Sequence, residues 1–169
     1  MILDKNYKGL EFKNGHYIYD GDIETTENLE IKLDDWLEVT GYIEAGEYIK
    51  AGWSIKASWS IEAGGYIEAS EYIEAGYGIS AGLYITAKST ISCGLKIFAG
   101  ICTWKNIEDS DKTITCSKLI SGTVEYGLLK ETGEAKKKIT IDGKEIEISL
   151  ESFEALKKSL DNDQTEEGG

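Results

Sequence analysis

Residues 41–100 read GYIEAG EYIKAG WSIKAS WSIEAG GYIEAS EYIEAG YGISAG LYITAK STISCG LKIFAG, ten units of six with isoleucine third in every one. These are Ile43, Ile49, Ile55, Ile61, Ile67, Ile73, Ile79, Ile85, Ile91 and Ile97, and two places after each stands alanine, or Cys93 in the ninth unit. A spacing of six matches neither the helical period of about 3.6 nor unbroken strand alternation. The triplet Ile-x-Ala, however, sets two apolar side chains on the same face of a short strand. Gly or Ser, in the sixth place of most units, then supplies a corner, where a left-handed φ is often required, as expected at Gly64, and where a side chain is awkward. Glu47 and Glu71 in the next place must face water, because an unpaired carboxylate is not tolerated inside. So short a unit cannot bury its own apolar face. The units must stack, and the fold class expected is mainly β, a β-solenoid or β-helix.

Charge and aromatic pairing bear on the coil length. Three units per coil stack Tyr48 on Tyr66 on Tyr84 and set Lys50 over Glu68 and Lys56 over Glu74, all favourable cross-strand neighbours. This triangular arrangement is the preferred one. Two units per coil would set Glu44 beside Lys56 and Lys56 beside Glu68, so a flat, two-sided coil also stays open. A longer similarity aligns GYIEAG EYIKAG WSIKAS with GYIEAS EYIEAG YGISAG at an offset of twenty-four residues, which reads as an old duplication and not as a coil length.

Outside the repeat the chain divides by character. Residues 1–40 hold degenerate units, Ile23-Glu24-Thr25, Leu29-Glu30-Ile31 and Leu37-Glu38-Val39, with an irregular insertion around Asp34, Asp35 and Trp36, and read as an acidic cap. Residues 101–133 keep apolar alternation but lose the sixfold register, as a closing cap or a last coil would. Residues 134–160 read as a small C-terminal β-hairpin plus helix. The hairpin turns at Asp142-Gly143, and the helix carries Leu150, Phe153, Leu156 and Leu160 on one stripe, with Ser149 or Ser152 as N-cap. Such a module buries little by itself, which makes that stripe the candidate surface for a homodimer. Residues 161–169 are expected to be disordered.

Runs such as GYIEAG, GWSIKA and SWSIEAG resemble repeat proteins carried by low-G+C bacteria and their phages, over roughly residues 7–127. The hexads also resemble, generically, hexapeptide-repeat β-helices. The first resemblance implies a mobile-element setting and no assigned chemistry, and the second implies a fold class.

The 31 carboxylates outnumber the 18 basic residues, for a net charge of −13, and every basic residue is lysine. Direct binding to nucleic acid, which needs clustered cations, is therefore not expected. Asp20, Asp22, Glu24, Glu27, Glu30, Asp34, Asp35 and Glu38 stand against Lys32 alone, so the negative field is expected near the N-terminal end. No apolar run approaches the ~18 residues that cross a bilayer, and MILDKNYKGLEF lacks the layout of a signal peptide; a cytoplasmic protein with no membrane partner is expected. Cys93, Cys102 and Cys116 have no CxxC spacing and only His16 to help them hold a metal, so they read as reduced thiols. His16 is the one candidate general base and lies outside the hexads. Cys102 or Cys116 as nucleophile would need both a base and an orienting group. Asp34-Asp35 has no second carboxylate cluster at fixed spacing. No enzyme, cofactor or metal site is expected.

The aromatics that flank the strands or sit at corners remain as binding candidates, chiefly Tyr48, Trp53, Trp59, Tyr66 and Tyr84. With the acidic segment they point to a protein-binding protein, anti-CRISPR-like, that inhibits a host nucleic-acid-handling or defence complex by surface occlusion or acidic mimicry. Its partner would be a host protein or ribonucleoprotein. The alternatives are a structural or polymer-forming scaffold and a glycan-binding module.

Overall fold

A computed structural model describes residues 1–133, 136–141, 144–149, 152 and 153. It divides into two compact units, Met1–Thr132 and Gly133–Gly169. The first is a β-solenoid of about six turns with a period near 18 residues.

Each central hexad forms a three-residue strand, from Ile43–Ala45 through Ile49–Ala51, Ile55–Ala57, Ile61–Ala63, Ile67–Ala69, Ile73–Ala75 and Ile79–Ala81 to Ile85–Ala87. The pairing is parallel and in register at an offset of 18: Ile61 lies between Ile43 and Ile79, and Ile67 between Ile49 and Ile85. There are thus three hexads per coil, and the two-sided alternative is excluded. All ten repeat isoleucines are 0% exposed, so each contributes roughly 1.5–3 kcal/mol of apolar burial. The alanines and Cys93 line the same interior, their smallness leaving room where the chain bends into the next face.

The coil has three faces. The first contains Ile23–Thr25, Ile43–Ala45, Ile61–Ala63 and Ile79–Ala81. The second runs from Ile2–Asp4 through Leu29–Lys32, Ile49–Ala51, Ile67–Ala69, Ile85–Ala87 and Thr113–Cys116 to Leu128–Glu131. The third holds His16–Tyr19, Leu37–Val39, Ile55–Ala57 and Ile73–Ala75. A long strand, Thr90–Ala99, then bends round a corner at Gly94 and serves the third and first faces together.

One expectation about the corners needs correcting. Positive φ occurs at Gly9, Gly15, Gly21, Gly100, Gly122, Gly127 and Gly133, and not at Gly64 or the other central corners. The reason for glycine there is close approach: a Cβ on Gly64 would press into the carbonyl oxygen of Gly46 one coil away, and a Cβ on Gly82 into that of Gly64. At Gly52 the nearest carbonyl oxygens are 3.9 Å from such a Cβ, ordinary contact distance. The crowding thus belongs to particular corners, and Ser70 fills the slot above Gly52.

The stack continues past the hexads at both ends. Upstream, Leu29 and Leu37 are eight residues apart instead of six, and the extra residues at Leu33–Trp36 shift the offset to 20, pairing Ile23 with Ile43. Below them a hairpin of Leu10–Lys13 and His16–Tyr19 turns at Asn14 and Gly15, whose φ values are 52° and 78°. Asn-Gly with both φ positive is the hairpin turn that matches strand twist. Downstream, residues 100–112 loop out through a short 3-10 turn at Asp109–Lys112. The chain then makes one further coil in which Ile114, Leu119, Val124 and Leu129 recur every five residues.

In the second unit Lys136–Ile141 pairs antiparallel with Lys144–Ser149, the expected hairpin. Ser152 and Phe153 are helical, and the Ser152 N–H donates to Ser149 Oγ at 3.2 Å, the N-cap contact expected of Ser149. Lys137 Nζ lies 4.2 Å from the centre of the Phe153 ring. The Asp142-Gly143 turn, Leu150, Leu156, Leu160 and the 161–169 tail lie outside the described residues. Among the described residues no helix is long and apolar enough to cross a membrane.

Candidate interaction surface

Of the eight acidic residues singled out between Asp20 and Glu38, the coil gathers only some. Asp20 accepts from the Thr40 hydroxyl at 2.7 Å, and Asp22 from the Tyr42 N–H at 3.0 Å. Glu24 accepts from the Tyr42 hydroxyl, and together with burial, Asp22 and Glu44 it pushes that phenol up to about 12. These three, with exposed Glu27, belong to the first face and its corners. Glu30 turns to the second face, where Lys32 and the Tyr48 hydroxyl hold its carboxyl below the usual glutamate value. Asp34, in the inserted corner, accepts from the Tyr17 hydroxyl and is lowered by it, while Asp35 accepts from the Trp36 N–H at 2.8 Å. Glu38 is on the third face, 3.1 Å from His16 Nε2 and 3.5 Å from Lys56. The segment is therefore wrapped around the prism, and half of it ties the first coil together.

Stacking assembles a different acidic group. Glu24, Glu44 and Glu62 are direct neighbours in the outward column of the first face, at the inter-strand distance of about 4.8 Å. Glu27 and Glu47 follow at the next corner, where the Glu47 N–H bonds to the Glu27 carbonyl. With Asp22 this makes six carboxylates, and residues 20–27, 40–47 and 58–65, which build this part of the surface, contain no lysine. Among the described residues none of these six has a lysine within ion-pair distance. The other faces differ. The second alternates Glu30, Lys50 and Glu68, with Lys50 Nζ 3.4 Å from Glu68; the third alternates Glu38, Lys56 and Glu74, at 3.5 and 3.7 Å. Both pairings expected from three hexads per coil, Lys50 over Glu68 and Lys56 over Glu74, are present.

The aromatics also stack at coil spacing. Tyr48, Tyr66 and Tyr84 form a ladder with ring centres 4.8 and 4.9 Å apart and planes within 6°. Trp59 lies on Tyr77 at 5.0 Å, and Leu95 continues that corner through a bond from its N–H to the Tyr77 carbonyl. Trp59, Tyr77 and Leu95 are 54%, 50% and 58% exposed, an apolar ridge at the corner leading into the acidic face. Trp53 stands at the corner between the second and third faces, 37% exposed. Because the stacked rings lie face against face, they turn their edges outward.

The groups weighed for catalysis have structural surroundings. His16 stacks on Trp36 at 3.8 Å while bonding to Glu38. Burial pushes the Cys93 thiol up and the Cys116 thiol up to about 11, disfavouring the thiolate a nucleophile needs. All three cysteines are free, and among the described residues no group of His, Cys, Asp and Glu could hold a metal ion. Comparison of the chain with protein-family profiles, with curated proteins and with solved structures gives no match in any of the three.

Proposed function

We propose that this chain is a non-enzymatic binding protein that docks through its first face on a basic surface of another protein. One observation carries the reading: six carboxylates meet on one face and its corners with no lysine within ion-pair distance among the described residues, while the two sister faces alternate in sign. In-register like charges are destabilising by a fraction of a kcal/mol to about 1 kcal/mol per pair. A face that forgoes the compensation used on the other two has a reason outside the fold.

The Trp59–Tyr77–Leu95 ridge beside it supplies apolar contact area, and together they suit a cationic groove with an apolar wall. Grooves that hold nucleic acid have this character, and a fixed line of carboxylates competes for them through electrostatic complementarity. The resemblance to phage-borne repeat proteins supplies the setting, an inhibitor of a host nucleic-acid-handling or defence complex of the anti-CRISPR kind. Glycan binding is less favoured, because it needs open ring faces and the ladders present edges.

The test is capture from host lysate at low and high salt with the wild type, with Glu24→Gln/Glu44→Gln/Glu62→Gln, and with Lys50→Gln/Glu68→Gln on the second face. Retention of a nucleic-acid-binding protein that is lost at high salt and in the triple variant alone is the expected result. No such protein retained, or equal retention by the triple variant, ends the proposal.

A further inference from the structure

The two ends of the solenoid are finished differently. At the N-terminal end the last inward residues, Leu3, Tyr17 and Ile23, are 0%, 8% and 1% exposed, and Met1, Tyr7, Leu10 and Tyr19 from the same end pack against the core. At the C-terminal end the corresponding row is Leu119, Val124 and Leu129. The first two are only partly buried, and Leu129 is 41% exposed although it points inward with Ile114. Ile120, Tyr126 and Leu128 around them are 58%, 46% and 43% exposed. Lys118–Tyr126 and Leu128–Glu131 each pair on one side only among the described residues, leaving two strand edges free.

We infer that this C-terminal end is a self-docking surface, on which a second copy of the chain seats end to end about a two-fold axis. Charge selects the occupant. Residues 1–40 carry ten carboxylates and four lysines, whereas residues 113–133 carry Lys118 and Lys130 against Glu125 and Glu131. Two N-terminal ends repel. A head-to-tail contact would bring an open apolar row against an end whose core is already covered. Two last coils, neutral over residues 113–133, meet without mutual repulsion, each supplying the coil the other lacks. A two-fold axis also makes the facing edges antiparallel, the pairing that free strands form without a crossover. The result is a closed dimer, with no open edge for further growth at that end.

The experiment is sedimentation of the full-length chain over a wide concentration range, for the wild type, Leu129→Glu, Ile120→Glu, Phe12→Glu at the opposite end, and Phe153→Glu in the second unit. The wild type is expected to have the mass of two chains. Leu129→Glu should weaken association at least about tenfold, since a carboxylate would be buried there unpaired. Ile120→Glu, at an exposed position that leaves the fold intact by circular dichroism, should weaken it in the same direction. Phe12→Glu and Phe153→Glu should leave it unchanged. A wild type that stays monomeric, a dimer indifferent to both C-terminal-end variants, or one broken by Phe12→Glu or Phe153→Glu overturns the inference.

Discussion

The coils between Ile43 and Ala99 and the coil between Thr113 and Glu131 are built on the same plan, yet one has neighbours on both sides and the other on one. In the first the inward row is wholly buried; in the second it ends on Leu129, 41% exposed. The difference shows where a solenoid's stability resides. A coil encloses almost nothing by itself, and its isoleucines are dry because the coils above and below close over them.

The largest effect should come from placing the same charge in both regions. Ile67→Asp, in mid-stack, strands a carboxylate where no partner reaches it, costing several kcal/mol and abolishing the cooperative melt. Val124→Asp, in the last coil, should lower the midpoint and leave the transition intact. Equal damage would mean that the terminal coil is as enclosed as the middle.

Next in size is the corner comparison. Gly64→Ala drives a methyl into the Gly46 carbonyl and should destabilise by about 1–3 kcal/mol in denaturant titrations, in the range of an overpacked interior. Gly52→Ala, with only ordinary contacts, should be within about 0.5 kcal/mol of wild type. If both behave alike, close approach is not what keeps glycine in these corners.

A smaller effect separates the faces. Glu44→Lys breaks up the like-charge column between Glu24 and Glu62 and should stabilise by about 0.2–1 kcal/mol, raising the thermal midpoint while weakening any basic partner. Lys50→Glu creates such a column on the second face and should lower the midpoint. If Glu44→Lys destabilises instead, the first face has a counter-charge the geometry does not reveal.

The smallest effect is a pH dependence of the first coil relative to the middle of the stack. The carboxyls of Asp34 and Glu30 are held below their ordinary values of 3.8 and 4.5 by Tyr17 and by Lys32 with Tyr48. Their folded-state values are depressed, so the stability they add is present above the ordinary carboxylate range and is lost as pH falls through the lowered values. Acid should therefore increase amide exchange around Tyr17 and Leu29 before it touches Ile67. Simultaneous loss would show that the end coil and the centre open as one.

Much of this architecture could be read in the chain because the hexad isoleucine states the period outright, and because Lys50 over Glu68 and Tyr48 over Tyr66 favour three units per coil over the two-sided coil that the sequence left open. The last coil was read only as a cap or a coil of unknown register, although its signal is there: Ile114, Leu119, Val124 and Leu129 keep a period of five, hidden by the loop that precedes them. The N-terminal hairpin had its own mark in Asn14-Gly15. At corner glycines such as Gly64 the lack of room for a side chain was legible but the positive φ was not borne out, and the partner in the crowding, a carbonyl one coil away, has no local trace. The acidic ladder escaped for a related reason: Glu44 and Glu62 belong, by sequence, to a stretch with lysines in it, and only the offset of 18 to 20 residues separates them from those lysines.

That offset also governs how such a gene can change. Any segment of 18 residues copied in place returns each side chain to the face it left, so the prism lengthens and its surfaces extend. The internal similarity at twenty-four residues is one hexad longer, and it moves every copied residue round by one face. Glu44 and its counterpart Glu68 occupy the same place in nearly identical words, GYIEAG and GYIEAS. One stands in a column of acids and the other opposite Lys50. In this chain a duplication is thus also a rotation, and a repeated phrase acquires a new electrical meaning with its one charged residue unchanged.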